Sequence, residues 1–482
     1  MNIPNNEKVI SFFREISKIP RETCKEKQIS DYLLNFANER KLEVSQDELY
    51  NIIIKKKSNI KNFNGPAVIL QGHMDMVYVK AADSNHLYEN GIEIIEKDGY
   101  LYGNKTTLGA DNGIAVAYCL AILDSSDIKH PDLEVIITVQ EEGGLVGAQI
   151  LNTEAIKGKY LINLDAEEEG VVFTSCAGGI RNYVNIPTFK ENVDSKTLMS
   201  INISGLKGGH SGMEIDLERG NAIKLMARLL YNLNNDDLYL CSINSIGKAN
   251  AIPNNAYVTI AISNGMVENI TDRINEIENV FKKELFNSDE VNIKIDQIYV
   301  ESGKINVYSK DTKNKIINIL MLMPNGVINK SMSIPGLVQT SINVGSLEEN
   351  EDNISILSSI RSSVGSQKYN VADNIKIIAE TYSVGCKFFS DYPEWEYKTE
   401  SRLRNLFSDI YMEVFQKKST FTAIHAGLEC GYLDEKLNDV DIISIGPNVY
   451  EVHTINEHVS IESIKNVWVV LVELLERLSE QN

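Results

Sequence analysis

The chain has 482 residues, 43% of them hydrophobic and 24% charged, and its 67 acidic against 47 basic residues leave a net charge of −20. That composition excludes wholesale disorder and leaves room for more than one core at about 150 residues per domain. The acidic balance argues against a nucleic-acid partner, whose phosphates need clustered Lys and Arg, and no apolar run reaches the ~18 residues of a membrane span.

The opening MNIPNNEKVISFFREISKIP lacks a basic stretch followed by an apolar one, so a secretory leader is not expected and a cytoplasmic location is. Apolar residues three and four apart predict helices over 7–20 and 26–40. Short strands follow at Leu42–Ser45, Tyr50–Lys55 and Ala67–Gln71, then a helix from Gly113 to about Leu123. A strand Leu133–Val139, a helix near Leu145–Asn152 and a strand Tyr160–Asp165 continue the alternation, which predicts a three-layer α/β domain with a mostly parallel sheet. From about Asn185 to Cys386 the style changes. Strands are expected at Leu198–Ile203, Ala256–Ile262, Val291–Ile298, Asn353–Ser359 and Ile375–Tyr382, with helices at Arg219–Leu233, Val267–Phe286 and Thr312–Met323. This reads as an α+β insert over 186–385, in two strand–helix–strand halves without a sequence repeat, splitting an α/β domain of 1–185 and 386–482. The α/β style returns with a helix at Glu400–Phe415, a strand at Asp441–Ser444 and a helix from Ile461 to Leu478. The six cysteines, Cys24, Cys119, Cys176, Cys241, Cys386 and Cys430, are scattered without a CxxC pair, as expected of free thiols rather than a disulfide framework.

Four clusters carry chemistry, and three of them fall at the carboxyl ends of predicted strands, where open α/β sheets gather ligands. In Gln71-Gly72-His73-Met74-Asp75-Met76, His73 and Asp75 face the same way on an extended chain, and a carboxylate beside an imidazole raises its basicity as a metal ligand. The alternative is an ordinary surface pair. In Leu108-Gly109-Ala110-Asp111-Asn112-Gly113, Asp111 is either a helix N-cap or a carboxylate aimed into a site by a glycine-flanked turn. The adjacent Glu141 and Glu142, after the strand LEVIITV, repel one another unless a cation is near; a solvated acidic turn is the other reading. Asp165 ends an apolar strand, and His453 follows late, after Gly446-Pro447. Together His73, Asp111, Glu142, Asp165 and His453 supply two imidazoles and three carboxylates, a donor set for borderline divalent metals such as zinc. Charge favours two cations: +4 meets −3 from the carboxylates, and one hydroxide completes neutrality.

These segments resemble the co-catalytic zinc metallopeptidase family of aminoacylases, tripeptidases and dipeptidases, and within it the bacterial aminoacyl-histidine (Xaa-His) dipeptidases. The resemblance runs in order through IPRET (19–23), QGHMDMV, TLGADNGIAVA, QEEGGLVGA, INLDAEEEG, GGHSGMEI, NAIP, IHAGLECG and ISIGPNVYEVHTINE. It implies that His73 and Asp165 bind one zinc, Glu142 and His453 the other, and Asp111 bridges them, with a cis peptide at Asp111–Asn112. Manganese or cobalt can substitute at such a nitrogen and oxygen site. It further implies Glu141 as general base, Asp75 as the residue orienting His73, and His210 of the insert as oxyanion donor once the insert closes as a lid. Asn250, Arg361 and Gly427 match substrate-contact positions, with His425 and Glu429 near them; His86, His130 and His458 are read as surface or structural residues. The activity implied is hydrolysis of dipeptides, Xaa-His substrates included, and a short peptide is the expected partner. A homodimer is implied by resemblance alone. A related deacylase or tripeptidase using the same centre, or a non-catalytic metal-binding paralogue, are the other readings.

Overall fold

Uninterrupted runs of Val, Ile and Leu form the middle of an eight-stranded sheet ordered Glu43–Gln46, Ile52–Lys56, Leu133–Thr138, Val68–His73, Tyr160–Asn163, Asp441–Ser444, Val171–Cys176, Thr420–Ile424. The four strands from Leu133–Thr138 to Asp441–Ser444 run parallel, while Glu43–Gln46, Ile52–Lys56 and Val171–Cys176 pair antiparallel with their neighbours. One face sets Val68, Leu70, Val135, Ile137, Ile162 and Ile443 into a core shared with the helices Glu7–Ile16, Ala110–Asp124, Arg402–Phe415 and Ile461–Ser479. Residues of the opposite parity, Ile69, Ile136, Leu161 and Ile442, are buried as well. A sheet hidden on both faces needs continuous apolar strands, and this is the three-layer α/β arrangement expected. The helix Ala110–Asp124 is buried at every residue from Asn112 to Leu123, hence its lack of a polar side.

The computed structural model describes residues 7–194, 197–299 and 303–480. Residues 1–6 of the opening stretch, read above for a leader, lie outside the described residues. The chain divides into two compact units: the first runs to Cys176 and resumes over Trp395–Ala423 and from Leu428, and the second takes Ala177–Glu394 and Ile424–Gly427. The insert thus extends beyond 186–385 at both ends, because Gly178–Pro187 pairs with Asn353–Ser362 and Gly385–Tyr392. Within the second unit, a sheet of Tyr239–Asn244, Ala256–Ile262, Thr197–Ser204 and Asn292–Tyr299 carries the helices Ala222–Leu233 and Val267–Glu284. A five-stranded sheet, Gly326–Lys330, Val338–Glu349, Asn353–Ser362, Gly178–Pro187 and Gly385–Tyr392, carries Lys310–Leu322 and Gly365–Thr381.

The strand expected at Ile375–Tyr382 is instead the end of the helix Gly365–Thr381. Val371, Ile375 and Ala379, four residues apart, are its buried row, and that spacing outweighs the local β-branched run Ile375-Lys376-Ile377-Ile378. The first helix stops at Ile16, short of Pro20. A small sheet absent from the sequence reading, Val449–Tyr450, His458–Ser460, Tyr100–Gly103 and Ile94–Lys97, frames the loop that carries His453. Among the described residues, none of the six cysteines forms a disulfide. Among the described residues no helix is long and apolar enough to cross a membrane.

Candidate metal centre

His73 is the last residue of its strand and is buried, held by parallel pairing with Leu133–Thr138 and by a hydrogen bond from its N–H to Asn112 Oδ1. Its Nδ1 faces Asp75, 3.3 Å from Oδ1 and 3.2 Å from the backbone oxygen, which directs Nε2 into the site. Nε2 lies 3.1 Å from Asp111 Oδ1, 3.4 Å from Asp165 Oδ1 and 3.9 Å from Glu141 Oε2. The other oxygen of Asp111 lies 3.2 Å from His453 Nε2, which is itself 2.7 Å from Glu142 Oε1. One carboxylate therefore spans two imidazoles. Asp111 and Asn112 interrupt the first turn of their helix with non-helical torsions, and the bond between them is cis, as the resemblance implied. Ligand atoms of His73, Asp111 and Glu142 all fall within 4.8 Å of one another.

The strand before Glu141 and Glu142 ends at Thr138. They lie in the following turn, whose backbone N–H groups donate to Asp75 Oδ1 and Oδ2 at 3.1 and 3.2 Å, and their side chains face different imidazoles, Glu141 that of His73 and Glu142 that of His453. Thr23 Oγ1 donates to the same Asp75 carboxylate.

The electrostatics are those of a cation site. Burial opposes charge on Asp111, yet hydrogen bonds from His453 and His73 outweigh it and hold the carboxyl below its usual range. His453 is pushed up to about 10 by Asp111 and Glu142, and His73 is raised by Asp165, Asp111 and Asp75 against the opposing effect of burial. Burial raises Glu141, Glu142 and Asp165, and each also feels the negative charge of neighbouring carboxylates. Such a group of anions is costly until positive charge enters, and imidazole and carboxylate donors suit a divalent ion.

Several residues here were quoted but given no role: Arg21, Gln71, Asn112 and Glu457 within motifs, and Thr138 within the strand LEVIITV. Asn112 Nδ2 donates to the Leu164 carbonyl, joining the strand ends that carry His73 and Asp165. Beneath the centre, Glu429 accepts from Gln71 Nε2 and Thr138 Oγ1, and burial raises it to about 7. Their contacts run through backbone groups and across strands, which residue spacing does not reveal; membership of a motif, or for Thr138 of a strand, was the only signal.

The substrate-contact candidates His210, Asn250, Arg361 and Gly427 fall in the second unit, together with His425. A Cβ on Gly212 would meet the His425 backbone, His210 Cε1 and Arg361 Cζ, so these three residues surround one glycine. His210 pairs with Ala251 next to Asn250, whose carbonyl accepts from the Ser211 N–H. Arg361 is buried, donates through Nη1 to Tyr392 and has no partner at Nε among the described residues. His86 bonds Tyr78 and the Gly91 carbonyl, His130 the Pro131 carbonyl, and His458 stacks on Tyr102 and Tyr450.

Residues 69–477 match the model of "Peptidase family M20/M25/M40". The chain is 34% identical over 470 residues to the cytosol non-specific dipeptidase of Escherichia coli (strain K12), covering 97% of this chain and 96% of that protein. Its fold superposes on a crystal structure of aminoacylhistidine dipeptidase from Vibrio alginolyticus with a TM-score of 0.92, at 33% identity and over 98% and 96% of the two chains. A Staphylococcus aureus tripeptidase shares the fold at a TM-score of 0.61, with 16% identity and all of both chains covered. With the family model spanning most of the chain and one relative matched almost end to end, the protein belongs to peptidase family M20/M25/M40 and is a metallopeptidase.

Proposed function

We propose that this metallopeptidase hydrolyses dipeptides, those ending in histidine among them, at two divalent cations held by His73, Asp111, Glu142, Asp165 and His453. The observation that carries the reading is Asp111, with one oxygen 3.1 Å from His73 Nε2 and the other 3.2 Å from His453 Nε2, as a shared ligand requires. In this reading His73 and Asp165 complete one site and Glu142 and His453 the other. Zinc is the expected ion, with manganese or cobalt able to replace it. Bound there, the cations would supply Lewis acidity, lowering the pKa of a water and polarising the scissile carbonyl.

The remaining work belongs to the chain. Glu141 takes the proton from the attacking water and passes it to the departing amine; its Oε2, 3.9 Å from His73 Nε2, stands beside the proposed cation site. Asp75 keeps His73 Nδ1 occupied so that Nε2 stays free to bind. His210 serves as a donor to the oxyanion, Arg361 clamps the substrate carboxylate, and Asn250 and Gly427 make further substrate contacts, all by resemblance. The unpartnered Nε of the buried Arg361 supports a carboxylate ligand there. The relatives' names support a dipeptide substrate, Xaa-His specificity and a cytosolic location. A homodimer belongs to this reading on resemblance alone.

The test is a panel of dipeptides, Xaa-His members included, and N-acyl amino acids, run on metal-defined protein with and without a chelator. Chelator-sensitive dipeptide cleavage is expected. Turnover of N-acyl amino acids without dipeptide cleavage makes it a deacylase, and no turnover of either makes it a non-catalytic binder.

A further inference from the structure

Glu457 is 2% exposed, and no part of the proposed chemistry uses it. Its Oε2 accepts from the backbone N–H groups of Leu108 and Gly109 at 2.8 and 2.9 Å, and its Oε1 from those of Ala110 and Asp111 at 2.7 and 3.3 Å. A helix begins with donors that have no partner in the helix, and here one remote carboxylate takes those of the N-cap Gly109, of Ala110 and of Asp111, together with that of Leu108 just before them. Behind the same turn lies Arg21, 1% exposed, whose Nη1 donates to the carbonyls of Met74 and Asp75 and whose Nη2 donates to that of Gly109. A Cβ at Gly109 or Gly113 would come within 2.5 Å of this guanidinium, so both positions must be glycine for it to fit. Arg21 thus joins the loop after His73 to the turn before Asp111, and Glu457 pins that turn from the other side.

We propose that Glu457, backed by Arg21, is the positioning residue that holds Asp111 as a bridge between the two cation sites. The proposal rests on the dinuclear reading above. Bridging requires both oxygens of one short side chain to reach two sites at once, which leaves the Asp111 backbone little freedom. The Glu457 carboxylate also ties the loop that carries His453, four residues earlier, to the turn before Asp111. Two ligands of the Glu142–His453 site therefore depend on Glu457. His73 is fixed independently by its strand and by Asp75, so the His73–Asp165 site depends on Glu457 much less.

The predicted effect is selective. In Glu457→Gln, whose amide leaves two of the four N–H groups without an acceptor, the first cation binds near its wild-type affinity. The second is weakened about 10–100-fold, the usual cost of losing a group that orients a ligand. Folded variant and wild type, matched by circular dichroism, are titrated with Co²⁺ by visible absorption and calorimetry, and retained zinc is counted by elemental analysis. Two cations at wild-type affinity in Glu457→Gln, or equal weakening of both, overturns the proposal. Should Glu457→Gln not fold, Arg21→Lys is judged on the same criterion. Wild-type protein that binds fewer than two cations sinks the dinuclear reading and this proposal with it, a result distinct from any difference between variant and wild type.

Discussion

At the scale of single residues, Asp75 sets the geometry of the centre. Its carboxylate faces His73 Nδ1 and accepts from the N–H groups of Glu141 and Glu142, so one buried group fixes both an imidazole and the turn that carries the proposed base and a proposed ligand. Because that turn is held through its backbone, removing the Glu141 side chain leaves the ligands in place. Glu141→Ala is expected to retain its metal by elemental analysis while kcat falls at least ~100-fold, as for loss of a general base. A variant with near wild-type kcat removes Glu141 from that role. The residues that the structure gathers around Asp111 were legible because each sits at a turn or strand end inside a quoted motif. Arg21 and Glu457 were not, because their action consists of contacts with main-chain atoms far away in sequence, which no spacing rule encodes.

At the scale of elements, the short segment Ile424–Gly427 of the second unit brings His425 against the strand Val338–Glu349, where Nε2 lies 2.7 Å from Ser341 Oγ. Burial, aided by the nearby Arg361 charge, lowers this imidazole to about 3 from an unfolded value near 6.5. The unfolded chain therefore binds a proton below pH 6.5 that the folded one refuses. Stability is fully present above that pH and is lost progressively as pH falls toward 3. The urea midpoint of the wild type is expected to drop between pH 7 and pH 5 more than that of His425→Asn, and equal slopes would refute the assignment. Helices with a clear four-residue row, such as Ala222–Leu233, were readable in the sequence. The helix Gly365–Thr381 was half misread because its last turns, taken alone, are β-branched, and the row that defines it starts upstream at Val371. The strands Val338–Glu349 and Gly178–Pro187 escaped notice because Ser, Asn and Gly interrupt their apolar residues, and their pairing partners are distant in sequence.

At the scale of the molecule, each unit has its own large hydrophobic cluster, while every proposed metal ligand lies in the first. Ligand binding to the folded state alone adds about 2.7 kcal/mol at a hundredfold excess over Kd, and for units of this size 1 kcal/mol moves Tm by roughly 2–4 °C. A chelator is thus expected to lower the first unit's calorimetric transition by about 5–10 °C and leave the second unit's unchanged; no shift in either contradicts metal binding there. The order of strands has a temporal consequence. Asp441–Ser444 lies between Tyr160–Asn163 and Val171–Cys176, so a gap persists in the middle of the sheet while hundreds of intervening residues are still being translated. A growing polypeptide on the ribosome has neither that strand nor His453, a proposed ligand, until translation has passed both, and so cannot complete the proposed metal centre beside other nascent chains before then.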